Sequence, residues 1–342
     1  MKKQLIYMFA ISATLLGSCQ KEVVWVPDGY GAEEVKKPVE EYSADQSFKL
    51  VSYCYHNNAV ANFDTTKLEY ITHLHFAFLN PKEDGTLQTL TNHANFEALN
   101  SLAREKGVKT AISLSGSEVI YRTIAANEIT RKLFVKNIVD FAVRYNLDGI
   151  DLDWEYPRAN YGNDVTFELF MKELSLELHS WHKYLSMAVT AGLFAGPVKE
   201  GITQGAIDAV DFVNLMAYDG IGTDPLNPNH HSSYNMGERV LNIWLTEKNL
   251  PVAKAILGVP LYGKNVDNGS MTYTNILASG GNPALDEYKT SNDVIYYYNG
   301  INTIKAKVAL AKQRGNGLMF WEFAQDARGE NSLIKAAYEA SK

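Results

Sequence analysis

Four carboxylic acids fall within eight residues in Asp148-Gly-Ile-Asp151-Leu-Asp153-Trp-Glu155. Asp151, Asp153 and Glu155 alternate with Ile150, Leu152 and Trp154. Side chains two apart share one face of a β-strand, so the three acids point one way and the apolar residues the other. Burying one carboxylate is costly, and burying a line of them more so. Acids spaced about 6.5–7 Å apart along a strand cannot all ionise cheaply. They share protons, and the most enclosed carboxyl is pushed upward. A carboxyl that keeps its proton near neutrality suits general acid catalysis, for example at a glycosidic oxygen. Glu155, uppermost of the three, is the acid expected to do this. Asp148 has the other parity and precedes Gly149, so a turn is its simplest role.

The acids need elements to hold them. From Lys49 onward, short β-rich runs alternate with helical patterns. The strand candidates are 49–55, 70–80, 109–116, 147–155, 184–192, 212–219, 255–263 and 317–323. Helix-like stretches lie at 94–106, 128–145, 164–182, 234–248 and 303–314. This alternation implies parallel pairing through βαβ crossovers. Eight such units favour a closed (β/α)8 TIM barrel, whose active sites lie at the C-terminal ends of the strands. A doubly wound open sheet is weakened because no Gly-rich phosphate loop follows the first strand. In a barrel the apolar set packs outward under the helices, and the acids enter the interior. Asn214, Met216 and Tyr218 share one parity, so Tyr218 can join them there. Trp321 shares a face with Met319 and Phe323, and Glu322 faces away from it.

The chain of 342 residues is 46% hydrophobic and 21% charged, with a formal net charge of −7. That is ample for one large core. No basic run or Lys/Arg stripe supports nucleic-acid binding. The start, Met1 to Lys21, has Lys2 and Lys3, an apolar run from Leu5 to Leu16, and then small residues. It reads as a secretory signal, too short for a membrane span. Leu16-Gly17-Ser18-Cys19 resembles the lipobox of bacterial lipoproteins, which implies cleavage before Cys19 and its lipidation. Gln20-Lys21-Glu22 is similar to a surface-export signal of Bacteroidetes lipoproteins. The expected location is the bacterial cell envelope, anchored by lipid at the outer membrane. Cys54 is then left without a disulfide partner. The expected organisation is a signal peptide over 1–18, a flexible tether over 19–47 and a (β/α)8 catalytic domain over 48–342.

The acid strand also carries a family resemblance. Its spacing matches the D-x-x-D-x-D-x-E signature of family 18 glycoside hydrolases, the chitinase family, and Trp154, Tyr156 and Pro157 follow the chitinase wording. MAYD (216–219), GVPLYG (258–263) and LMFWEFAQD (318–326) resemble the family's sixth, seventh and eighth strand motifs. The resemblance implies a (β/α)8 barrel and substrate-assisted, retaining hydrolysis without a cofactor. Glu155 would be acid and base. Asp153 would hold the substrate's acetamido N–H, Asp151 would share a proton with Asp153, and Tyr218 would donate to the acetamido oxygen. Trp321 would floor the subsite of the distorted sugar. Met216, Asp219, Tyr53, Ser113 and Asn214 complete the expected substrate site, with Tyr53 and Ser113 hydrogen-bonding Asp151.

The chain also departs from the family pattern. Ser113-Leu-Ser-Gly-Ser117 stands where S-x-G-G-W is usual, so one aromatic platform is missing. Lys264 replaces the usual Arg after "YG" and cannot make a planar bidentate contact. About 40 residues separate Gly263 from Thr303, too few for a full chitinase insertion domain. A short insertion before the last strand and a low cleft wall follow. The expected partner is an N-acetylglucosamine-containing oligo- or polysaccharide, such as chitin or chito-oligosaccharides. The chitobiose core of N-glycans is the alternative substrate, and a non-catalytic sugar-binding lipoprotein is the alternative of another class. No metal is implied: His230-His231 is expected to be solvated loop, and His73 and His75 barrel packing.

Overall fold

The computed structural model describes residues 36–55, 60 and 63–342. The signal segment, Cys19 and Gln20-Lys21-Glu22 lie outside the described residues. Eight strands form the barrel: β1 (Lys49–Tyr55), β2 (His73–Leu79), β3 (Lys109–Ser115), β4 (Gly149–Asp153), β5 (Tyr184–Thr190), β6 (Phe212–Met216), β7 (Ala255–Pro260) and β12 (Gly317–Trp321). Their order around the closed barrel is β1-β12-β7-β6-β5-β4-β3-β2. Every pairing is parallel. This is the (β/α)8 architecture that the alternating pattern predicts. The helices are α1 (His93–Glu105), α2 (Glu118–Ala126), α3 (Glu128–Arg144), α4 (Asn163–Ser180), α5 (Pro197–Glu200), α6 (Gln204–Ala209), α7 (Tyr234–Thr246), α9 (Ile301–Arg314) and α10 (Leu333–Ser341). Between β7 and α9 lies the short insertion. It holds β8 (Tyr262–Lys264), β9 (Ser270–Thr272), α8 (Tyr273–Ala278), β10 (Glu287–Lys289) and β11 (Ile295–Tyr297), with sheet order β10-β11-β8-β9.

Strand parity builds two cores. Ile150, Leu152 and Trp154 are buried in the outer one, between sheet and helices. The Trp154 indole stacks on Tyr121 from α2, with ring centroids 5.1 Å apart. Full burial of each aliphatic side chain stabilises by about 1.5–3 kcal/mol. The inner core fills the barrel with Val51, Tyr53, Ala111, Tyr184, Phe212, Ile256 and Met319. Gly149 makes room for this filling: a Cβ there would lie 2.4 Å from the Tyr184 ring.

Two sequence expectations need correction at this level. Residues 40–47, read as the end of a tether, pack on the N-terminal face of the barrel. Tyr42 Oη donates to Asp211 Oδ1 at 3.0 Å, and its ring stacks on His179 with centroids 4.1 Å apart. Lys109 Nζ bonds Asp45 Oδ2 at 2.6 Å, and His182 Nε2 lies 2.8 Å from Glu40 O. Asp148 does not make a turn. Its Oδ2 accepts from Thr110 N at 2.8 Å and pins β4 to β3, while Asn146 (φ 49°) takes the left-handed position.

Candidate active site

Asp151, Asp153 and Glu155 rise in one line toward the C-terminal mouth. β4 ends at Asp153, so Glu155 stands two residues beyond the strand. Asp151 is fully buried, Asp153 is 5% exposed, and Glu155 is exposed at the mouth. Asp153, Glu155, Tyr218, Asp219, Met216, Tyr53 and Trp321 line one cleft of ≈ 680 Å³.

Asp151 lies beneath the cleft floor, where four donors converge on it. Tyr53 Oη and Ser113 Oγ reach Oδ2, each at 2.7 Å. Ser186 Oγ reaches Oδ1 at 2.6 Å and Asn214 Nδ2 at 3.2 Å. Four donors fill the acceptor capacity of a carboxylate. His75 Nδ1 stands 3.6 Å from Oδ1, while its Nε2 meets Tyr184 Oη at 3.1 Å. Burial lowers the His75 imidazole against the opposing charge of Asp151. Ser113 makes the hydrogen bond to Asp151 that the resemblance implies, while Asn214, expected at the substrate, is fully buried, does not line the cleft and bonds Asp151 instead. Asn214 Nδ2 also donates to Tyr53 Oη at 3.0 Å.

Asp153 is the carboxyl that the structure pushes well above its usual range. Burial is the largest cause, followed by the charges of Glu155 and Asp151. The retained proton is thus drawn to the middle acid, where the sequence placed it on the uppermost. The physical reason is enclosure: the strand ends beneath Glu155 but around Asp153. Asp153 Oδ1 is buried with no hydrogen-bond partner among the described residues. Tyr156 has its phenol pushed well up, by burial first and then by the neighbouring Glu155 carboxylate.

Tyr218 lies just past β6. Burial, then the charges of Asp153 and Glu155, push its phenol well up, so the hydroxyl stays a donor. Gly258 on β7 makes space for it: a Cβ there would be 3.1 Å from Tyr218 Cε1 and 2.3 Å from Leu215 O. The next residue, Asp219, adopts φ 58° and collects three partners. Tyr262 Oη donates to its Oδ1 at 2.6 Å, Lys264 Nζ lies at 3.0 Å, and His231 Nδ1 at 3.3 Å. Burial opposes ionisation of Asp219, but these three hydrogen bonds outweigh it and bring the carboxyl down to about 2. His230 and His231 are not solvated loop. Both are buried, His230 Nε2 lies 2.9 Å from Tyr298 O, and the insertion covers them.

Trp321 ends β12 and is braced by Phe78, with ring centroids 5.7 Å apart and planes at 23°. Tyr53 and Tyr55 complete the wall at 5.6 and 6.3 Å. Glu322 turns away and is buried, its Oε2 accepting from Tyr55 N at 3.3 Å. Phe78, Ser186, Tyr156, Tyr262 and His231 escaped the sequence reading. Ser186 could have been found, since it shares inward parity with Tyr184. Phe78 could not, because a register irregularity in β2 follows Ala77.

Barrel, acid line and mouth-facing aromatics together define a glycoside-handling (β/α)8 protein. Residues 49–326 match the model of Glycosyl hydrolases family 18, and the chain belongs to that family. It is 25% identical over 339 residues to Chitinase 1 of Aphanocladium album, covering 79% of each chain. It is 29% identical to the solved GH18 chitinase ChiB from the chitin utilization locus of Flavobacterium johnsoniae, with a TM-score of 0.70 and coverage of 87% and 94%. A solved chitinase from Bacteroides thetaiotaomicron is 25% identical, with a TM-score of 0.74 and coverage of 86% and 96%.

Proposed function

We propose that this chain is an endo-acting hydrolase of GlcNAc-β-1,4 linkages that works by substrate-assisted, retaining catalysis. The observation that carries the reading is Asp153: an enclosed carboxyl with a raised proton affinity and an unpartnered Oδ1, between Glu155 above and Tyr218 beside it in one cleft. A buried acceptor without a partner is costly, and an incoming N–H removes that cost.

Asp153 passes the proton it retains to Glu155, and Glu155 gives it to the glycosidic oxygen as the C1–O bond breaks. The carbonyl oxygen of the substrate's own acetamido group forms the new bond to C1, giving an oxazolinium ion. Asp153 accepts the acetamido N–H and balances the positive charge. Tyr218 donates to the acetamido oxygen. Water then adds at C1 from the face the leaving group left as the oxazolinium C1–O bond breaks and the acetamido group re-forms, and Glu155 takes the water's proton, so configuration is retained. Asp151, fixed by its four donors, anchors the acid line beneath Asp153. Trp321 offers its face to the sugar ring, Asp219 is poised for a sugar hydroxyl, and Met216 and Tyr53 form wall.

Ser117, where the family carries an aromatic platform, favours soluble chito-oligosaccharides over crystalline chitin. It also supports a second reading, the chitobiose core of N-glycans. A product assay on chitotetraose and on a high-mannose glycoprotein separates them. Cleavage of chitotetraose with β-anomer released first is the expected result. Cleavage of the glycoprotein alone supports the second reading. Binding without cleavage of either supports a lectin. We also propose that Cys19 carries a lipid anchoring the protein in the bacterial envelope, on the strength of Leu16-Gly17-Ser18-Cys19. Radiolabelled palmitate incorporation that persists in Cys19→Ser would refute it.

A further inference from the structure

Lys307 is a fully buried lysine that the chemistry above does not use. It lies on α9, behind the barrel wall. Its Nζ donates to Ser232 O at 2.8 Å and to Ser232 Oγ at 2.9 Å. Ser232 is itself fully buried, and its Oγ donates to Ala217 O at 2.7 Å. Ala217 immediately precedes Tyr218 and Asp219. The neighbour on the other side of Ser232, His231, touches Asp219 at 3.3 Å. A continuous chain of hydrogen bonds thus runs from a helix outside the barrel to the backbone that aims Tyr218 and Asp219 into the cleft. Asn299 Nδ2 also donates to Ser232 O at 3.0 Å, so Ser232 Oγ is the acceptor that Lys307 serves without help from Asn299.

Burying a lysine is expensive, and a well-packed apolar side chain would be the more stable choice. A charged donor makes stronger and more directional hydrogen bonds than a neutral one. We propose that Lys307 is a positioning residue: through Ser232 it fixes the Ala217–Asp219 backbone, and its charge makes that hold pH-dependent. This rests on the hydrolase reading of the site and adds the device that keeps Tyr218 in register.

Three titratable groups face the Lys307 ammonium. Asp286, bound by Gly300 N and Thr303 Oγ1, favours its charge. His230 and His231 are both lowered by burial, with Lys307 adding to the effect. Burial brings Lys307 itself down to about 7 against the pull of Asp286. The unfolded chain keeps this proton up to the ordinary lysine value of 10.5, so between the two values the unfolded state binds more protons. The lysine's contribution to stability therefore rises with pH across that window. The hold on Tyr218 weakens over the same range. A purely structural lysine cannot give these opposite trends in stability and turnover.

The test compares wild type, Lys307→Met and Ser232→Ala on chitotetraose from about pH 5 to 9, with thermal midpoints recorded at each pH. Methionine keeps the length of the stem without charge, and Asn299 still serves Ser232 O. Both variants should lose about tenfold in kcat at pH 6, since small misplacements of reacting groups are costly, with KM changed less than about twofold. Wild-type kcat should fall through about 7, that step should be missing in Lys307→Met, and the wild-type thermal midpoint minus that of Lys307→Met should rise over the same range. Wild-type kcat in both variants at every pH overturns the proposal. If Lys307→Met fails to fold, Ser232→Ala, which deletes one oxygen, decides by the same kcat criterion. Failure of the hydrolase reading looks different: wild type itself leaves chitotetraose intact, and this proposal then falls with it.

Discussion

Asp151 on β4 and Ser186 on β5 are register partners, and their side chains meet at 2.6 Å. Ser113 on β3 faces Asp151 from the opposite strand in the same row. The buried carboxylate therefore sits between two hydroxyls that the sheet itself delivers. Ser186→Ala removes one donor from a fully enclosed acceptor, which costs about 1–3 kcal/mol. A urea titration should show the midpoint shift with the slope unchanged.

Glu155→Gln keeps shape and hydrogen bonding but cannot give up or take back a proton. Turnover of chitotetraose should drop by at least about 10³-fold, within the range expected for general acid–base groups. Affinity for the same oligosaccharide, read by calorimetry, should hold. Near-normal hydrolysis would remove Glu155 from the acid role.

Tyr218→Phe deletes only the hydroxyl proposed to meet the acetamido oxygen. By analogy with an oxyanion donor, kcat should fall about 10²–10³-fold. KM should change far less, since the contact tightens as the ring closes. Plain cellodextrins, which lack the acetamido group, should not be cleaved by the wild type; efficient cleavage would exclude substrate assistance.

Asp153 carries a folded-state affinity for protons well above the ordinary aspartate value of 3.8. Above that ordinary value the unfolded chain releases its proton first, so the folded form binds more protons. Stability therefore declines as pH rises out of that range toward the raised value. Asp153→Asn abolishes the decline and relieves repulsion from Glu155 and Asp151. Its thermal midpoint at neutral pH should exceed that of the wild type while kcat collapses. A lower midpoint would show that the buried charge is better compensated than the geometry indicates.

Gly258→Ala tests the space reserved for Tyr218. The new methyl would press on Leu215 O at 2.3 Å and Tyr218 Cε1 at 3.1 Å. Overpacking of this kind costs about 1–3 kcal/mol. Because the backbone oxygen cannot yield easily, Tyr218 must move as well, and kcat should fall more than stability alone explains.

Parity and alternation made the barrel legible in advance. All eight strands fall within their expected stretches, and the Ile150/Leu152/Trp154 set faces outward. The acid line was legible for the same reason, because period-two order is a local property. What joins Asp219 to Tyr262, His231 and Lys264 is not local: it depends on how the insertion folds back over the mouth. His230-His231 reads as polar loop when seen beside Pro and Asn. Its burial is decided by Tyr298 and Lys307, some seventy residues away along the chain. Residues 40–47 misled in the same way, since nothing in their composition announces that Tyr42 stacks on His179. Asn214 had the right parity but the wrong depth, which only the tilt of the barrel sets.

The docking of residues 40–47 fixes where the polypeptide enters the domain. It arrives at the pole where the strands begin, while the cleft opens at the pole where they end. The docked segment therefore lies at the face remote from the cleft, and a bulky polymer can approach the open side without meeting it.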